Sequence, residues 1–182
     1  YIDAIGTSTP GSTLCGATLS SGANETTSTS VNFGSISLAQ FNTLAQRFTC
    51  STNATSGYVV QVFESTPLTT INTGSTSFIP DTTCDTSCDI DTPGQWDTNT
   101  SSSQFGYSLE AIDSSPVAFS HSSTFNSKPF GIGYNNARAI MSLSEVPPTE
   151  DQAYICYRIT ASNSQEAGTY QNQINFIATA TF

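Results

Sequence analysis

Positive charge is scarce in this 182-residue chain: four lysines and arginines and one histidine stand against fourteen acids, a formal net charge of -10. Four scattered cations cannot neutralise a run of phosphates, and the field of the whole chain would repel one. Nucleic acid is thereby excluded as a partner, and an anionic membrane surface is set aside on the same ground. No apolar run is long enough to span a bilayer, so membrane insertion is not expected. One methionine and the want of any lysine-rich helical face leave no basis for a coiled coil. A single histidine and no C-x-x-C spacing argue against structural zinc. The chain opens at Tyr1 without a basic-then-apolar leader, and the expectation is export with that segment removed.

Hydroxyls and aromatics fill the space that charge leaves. Serine and threonine number 56, close to a third of the chain, beside eleven Phe, seven Tyr and one Trp. The aromatics sit in short alternating runs, which a disordered acidic tail would lack. Period-two patterning predicts strands at 31–36, 46–52, 58–63, 105–112, 117–125 and 138–143, and an alternation of Ile155, Tyr157 and Ile159. The turn-prone 53–57 suggests that 46–52 and 58–63 form a hairpin whose second strand is central. Val146-Pro147-Pro148 then ends pairing, because proline brings no N–H to a ladder. Only 37–46 reads as helical, with Ser37 and Gln40 as a capping box and Leu38, Phe41, Leu44 and Ala45 on one face. The longest alternation runs from Tyr170 to Phe182 and reads as core framework. Residues 65–103 are the least regular, with Phe78, Ile79 and Trp96 as anchors. The fold class is all-β: one Ig-like or jelly-roll-type β-sandwich domain over 1–182, with long loops and at most one short helix.

Catalytic chemistry finds little support. The lone His121 shares a strand face with Phe119 and Phe125, the place of a structural imidazole. No G-x-S-x-G elbow occurs. No enzyme is expected. Five of the fourteen acids fall between Asp81 and Asp97, in a loop that Cys84 and Cys88 are spaced to close. Asp85, Asp89 and Asp91 make this loop a candidate Ca2+ site, since calcium takes six to eight oxygens. The Asp89-x-Asp91-x-Pro93-Gly94 run nonetheless departs from a calcium loop at Pro93 and has no later Glu. Asn24, Asn53 and Asn99 each head an N-x-[ST] triplet, so they are candidate glycosylation sites, although chance matches are expected in so hydroxyl-rich a chain. Five cysteines point to an oxidising compartment, and at least one of Cys15, Cys50 and Cys156 must lack an intramolecular partner among them.

Three segments carry a resemblance: Val31-Asn32-Phe33-Gly34, Phe48-Thr49-Cys50-Ser51-Thr52, and Ala167-Gly168-Thr169-Tyr170-Gln171-Asn172-Gln173-Ile174-Asn175-Phe176. With the early Cys15, they resemble secreted bacterial β-sandwich surface subunits of the spore-coat-U-like and chaperone–usher pilin group. The likeness covers the two ends of the chain and not 65–130. It implies a Cys15–Cys50 bridge with Cys156 left over; Cys50–Cys156 with Cys15 free is the other arrangement compatible with the spacing. It also implies assembly by donor-strand exchange, in which a neighbour's extended segment completes a sandwich that lacks a strand. Within 1–11, Tyr1, Ile2, Ala4 and Ile5 are the candidate donor residues, or else they form the first strand of their own sandwich.

The expected function is an extracellular, cell-surface structural subunit that polymerises with copies of itself into a filament, pilus or coat. The alternative is a monomeric adhesin or carbohydrate-binding module. It would present Trp96, Tyr107 and the acidic loop as a calcium-assisted platform for host or surface glycans.

Overall fold

The computed structural model describes residues 2–6, 9–20, 25–147 and 149–182, with backbone alone for 2–6 and 25. Tyr1, Asn24 and Pro148 lie outside the described residues. In the first part of the chain are β1 (Ile2–Gly6), β2 (Thr13–Leu14), β3 (Ala17–Thr18), β4 (Glu25–Thr26), β5 (Val31–Asn32), β6 (Asn42–Cys50) and β7 (Tyr58–Glu64). The middle holds β8 (Leu68–Thr70), β9 (Phe78–Ile79), β10 (Gly94–Gln95), β11 (Gln104–Ile112) and β12 (Asn126–Ser127). β13 (Arg138–Leu143), β14 (Asp151–Thr160), β15 (Tyr170–Gln171) and β16 (Ile174–Ala180) complete it, with one 3-10 turn at Tyr134–Asn136. Among the described residues no helix is long and apolar enough to cross a membrane.

Two antiparallel sheets make the sandwich, in the orders β1-β6-β14-β11 and β13-β7-β16. Phe48 on β6 meets Phe176 on β16 at 4.5 Å between ring centroids, so these two strands face each other across the core. The Tyr58 hydroxyl on β7 donates to Asp151 on β14 at 2.7 Å, which places β7 over β14. Between the sheets lie Val60, Val62, Leu109, Ile140, Met141 and Ile155, all buried. Phe105, Phe130 and Tyr107 stack among them with centroid spacings of 5.5 and 4.4 Å. Each such pair adds about 1 kcal/mol beyond its buried area.

Register fixes which residues face inward. Cys156 lies opposite Ala45, and Ile155 opposite Gln46. Even positions of β6 and odd positions of β14 therefore point into the sandwich, because successive side chains of a strand alternate. The other face of this sheet is also covered. Cys15, Ala17, Leu19, Ala45, Cys84, Trp96, Phe125 and Cys156 form a second buried cluster there. A cap drawn from 9–20, 84–97 and the 120s overlies the sheet.

That second layer corrects the helix expected at 37–46. Residues from Asn42 onward are strand, paired with β1 on one side and β14 on the other. Eight of the nine β6 residues are buried, so the strand shows no in-out alternation. The expected hairpin of 46–52 and 58–63 is an arch instead: β6 and β7 lie in different sheets, although β7 is central in its own. Gly57 makes the turn possible, with φ of 78° and a backbone so close to Leu143 that a Cβ would sit 2.0 Å from its carbonyl oxygen.

Three more strands differ from expectation. Only Val31 and Asn32 of 31–36 pair, and their partner is β4. Residues 117–125 are no strand, because Ala118 N–H bonds Ile140 on one sheet and His121 N–H bonds Leu109 on the other. A segment crossing the sandwich side in this way pairs β13 only at the single bridge Val117–Met141 and forms no strand. The alternation from 170 to 182 splits at Asn172-Gln173: β15 pairs β8, while β16 pairs β7 as an edge strand. β16 is half-buried to exposed, and Phe182 is exposed. In 65–103, Ile79 and Trp96 are buried anchors and Phe78 is exposed.

Candidate functional site

β16 is where the sandwich is incomplete. Ser65 N–H bonds the Gln173 carbonyl and Thr181 N–H bonds the Gly57 carbonyl, both at 2.9 Å. In an antiparallel ladder such bonded pairs recur every second residue. Odd positions of β16 thus face β7, and the N–H and C=O groups of Ile174, Phe176, Ala178 and Ala180 point to the outer edge. Among the described residues no strand pairs there. The sequence Ile-Asn-Phe-Ile-Ala-Thr-Ala carries no charge and no proline, the usual protections of an exposed edge.

An open groove of about 1070 Å³ lies between the sheets on this side. Phe48, Tyr157 and Ile159 come from the larger sheet, Ile174 and Phe176 from β16, and Leu68 and Ile79 from the β8–β9 pair. The outer wall is the chain from Ser28 to Ile36, whose Val31, Phe33 and Ile36 pack half-buried against the core. This wall is not laddered to β16; its strand β5 pairs only with β4. It covers the groove through side chains.

β1 occupies the edge of the opposite sheet. Ile2, Ala4 and Ile5 of the candidate donor segment pair with Cys50, Phe48 and Arg47 of their own chain. Since β6 faces β16, the smaller sheet has, among the described residues, no strand opposite β1. Tyr1 lies outside the described residues.

The cysteines are arranged by strand parity. Cys84 bonds Cys88, and Cys15 bonds Cys156. Cys50 is free and buried. This corrects the implied Cys15–Cys50 bridge and also removes Cys50–Cys156. Cys50, at an even position of β6, points into the sandwich, whereas Cys156 and the 9–20 segment lie on the capped face. Burial pushes the Cys50 thiol up, and nearby Asp151 adds to the effect.

In the cap each aspartate of the acidic loop has its own protein partner. Asp85 accepts the N–H groups of Asp97, Thr98 and Asn99. Burial works against its ionisation, but these N–H groups hold the carboxyl below its usual range. Asp89 accepts from the N–H groups of Thr92 and Asp91, which lower it likewise. Asp91 takes the Arg138 guanidinium, whose hydrogen bond keeps its carboxyl low. Among the described residues no three His, Cys, Asp or Glu side chains gather as a metal site would require.

Trp96 and Tyr107 are 0% and 1% exposed, so neither offers a ring to a sugar. Trp96 Nε1 donates to the Asn99 carbonyl at 3.1 Å. Asn99 is half-buried, and Asn53 is exposed at the arch. His121 Nδ1 lies 3.8 Å from Glu110, whose carboxylate also accepts the Cys15 N–H. His121 belongs to the cap, and Glu110 lies on β11 beneath it. Arg158 is buried there beneath Phe125, 3.6 Å from guanidinium carbon to ring centroid, and hydrogen-bonds the Trp96 carbonyl. Burial lowers it to about 10, with Asp97 opposing the shift.

Sequence reasoning did not single out the groove, because its walls come from seven separate stretches of chain. Nor did it single out Glu64, a buried acid at the end of an otherwise apolar strand. No family model matches the chain, and neither a curated protein nor a solved structure matches it.

Proposed function

We propose that this chain is an extracellular structural subunit that joins copies of itself by strand addition. The observation that carries the reading is the unprotected outer edge of β16 beside an apolar groove. An incoming extended segment gains main-chain hydrogen bonds along even positions of β16 and side-chain pockets between the sheets. It displaces the 28–36 wall, which gives up side-chain packing and at most the two-residue pairing of β5 with β4. The N-terminal segment is the donor this reading selects: β1 is an edge strand, paired on one side only, and can leave β6 for a neighbour. The two disulfides fit an oxidising, extracellular setting, and the sequence resemblance to polymerising surface subunits points the same way.

Proline substitutions separate edge from ladder. Ala178→Pro removes an N–H that points outward and spares every bond to β7, so the sandwich should remain folded. Thr179→Pro removes an N–H that bonds Val59 and should destabilise the fold by about 3 kcal/mol. Negative-stain microscopy and size-exclusion chromatography should show filaments or sheets from the unmodified protein and monomers from folded Ala178→Pro. Equal assembly by Ala178→Pro, or an unmodified protein that stays monomeric at high concentration, would sink the proposal.

A further inference from the structure

Asp85, Asp89 and Asp91 are each supplied with N–H donors, whereas a buried acid at the end of β7 keeps one oxygen without a donor. Glu64 ends β7 and is fully buried. Its Oε2 accepts from Asn172 Nδ2 at 2.8 Å, while Oε1 is buried with no donor. The acid beside it is Asp81, near enough for the two carboxyls to act on each other directly. Two carboxylates so placed repel unless one carries a proton.

Among the described residues no cation is placed against them. Arg138, opposite Val62 on β13, is engaged by Asp91. Lys128 Nζ donates to the Asp91 carbonyl at 2.7 Å. From β15 comes Tyr170, whose hydroxyl is bonded to Glu166, Gln165 and Ser77. The 3-10 turn brings Tyr134, exposed and edge-on to Phe63. β16 brings no titratable side chain.

Four segments meet at the pair. Glu64 N–H bonds the Gly131 carbonyl at 3.0 Å, and its own carbonyl accepts Gly133 N–H at 2.8 Å. Asp81 is bridged to Phe105 on β11. Asn172 sits at the joint between β15 and β16. We propose that Glu64 and Asp81 share one proton, and that this carboxyl–carboxylate bond is a pH-dependent clamp on these four segments. The role is structural rather than catalytic, since Glu64 has no exposed surface and neither acid lines the groove. The clamp does not depend on what the groove accepts.

Burial and the charge of Asp81 push Glu64 up to about 8; burial pushes Asp81 up to about 6. Folded-state values raised above unfolded ones mean that the folded chain holds protons the unfolded chain releases. The stabilisation over the doubly ionised pair is fully present below about pH 4.5, where both acids are protonated, passes through the shared-proton state between the two raised values, and is lost as pH rises toward about 8.

Urea unfolding across that range should show the unfolding constant of the unmodified protein rising by about tenfold or more toward alkaline pH. Glu64→Gln keeps a hydrogen-bonding side chain without the ionisation and should flatten this slope, as should Asp81→Asn. Should both variants fail to fold, the unmodified protein still decides. Infrared spectroscopy at pH 7 should show a protonated-carboxyl band that persists when exposed acids are ionised and disappears toward pH 9. Absence of that band overturns the clamp, as does a folded Glu64→Gln with an unchanged slope. Recovery of alkaline stability by millimolar calcium, without the band, would make the pair a cation site and overturn it as well.

Discussion

The two faces of the β1-β6-β14-β11 sheet are built from the same strands and solve burial differently. The inner face packs aromatic and branched residues against a second sheet, and that sheet stops one strand short. The outer face has no sheet to meet. Its cover is irregular chain, held by two disulfides, a buried guanidinium and aspartates that cap backbone N–H groups. Irregular chain has backbone polar groups that no ladder satisfies, so it needs side chains to satisfy them. A sheet edge keeps half of its groups free, so it can still accept a partner. The same molecule is therefore sealed on one side and unfinished on the other.

The largest effect is expected where the seal is covalent. Cys15 and Cys156 are 141 residues apart, and Cys84 and Cys88 only 4. Cross-linking restricts the unfolded chain more when the closed loop is longer. Replacing Cys15 and Cys156 by serine should cost about 4 kcal/mol in urea unfolding, against about 2 kcal/mol for the Cys84–Cys88 pair. A thiol titration sharpens the point: the native protein should show no reactive thiol and the denatured protein one, that of Cys50. Equal losses from the two disulfide deletions would mean that the long bridge does not anchor the cap.

Arg158 comes next. Its guanidinium lies 4.4 Å from the Phe41 ring centroid and bonds Thr43 Oγ1, the Trp96 carbonyl and Asp97. Arg158→Met preserves much of the volume but takes the guanidinium donor from the Trp96 carbonyl and leaves Asp97 only the Phe125 N–H. The expected loss is about 3 kcal/mol, with greater protease sensitivity in the cap before the sandwich unfolds. Arg158→Lys should recover part of this, because an ammonium supplies charge but not the planar fork. A variant as stable as the parent would show that the cap is held by its disulfides alone.

How much of this was legible follows from the same contrast. The patterning marks β7, β11 and β13 near their true bounds because strong β-formers fill them, while β14 shows only in the alternation of Ile155, Tyr157 and Ile159 and in fact begins at Asp151. β6 was mistaken for helix over its first residues because both of its faces are covered, which erases the alternation that identifies a strand. Which cysteines pair depends on strand parity, a property of the register and not of spacing along the chain. Cys50 and Cys156 look equivalent in sequence and point to opposite faces in the fold. The run from Tyr170 to Phe182 was rightly read as extended, yet period two does not distinguish an edge from a centre. It also does not mark where a strand changes partners, as this one does at Asn172-Gln173. Asp85, Asp89 and Asp91 are close in sequence, but in space each meets a different donor, which spacing along the chain does not show. Glu64 and Asp81, the pair that does meet, come from separate loops and strands.

The smallest stability effect is expected at the unfinished side, and it bears most directly on function. Phe176 is half-buried, and its ring rests on Phe48 with little beyond it. Phe176→Ala should cost about 1 kcal/mol, whereas Phe48→Ala, deep in the core, should cost about 3–4 kcal/mol. The outward N–H and C=O of position 176 survive the change, so the edge can still form a ladder. What goes is one wall of the pocket that an incoming side chain would enter. Ala178→Pro removes backbone pairing and leaves that wall; Phe176→Ala does the reverse. If strand addition depends on both, each variant should stay folded and each should assemble less than the parent, with the proline more severe. Normal assembly by Phe176→Ala beside failure of Ala178→Pro would assign recognition to the backbone alone, and the groove would then be a consequence of the missing strand rather than a determinant of which segment enters.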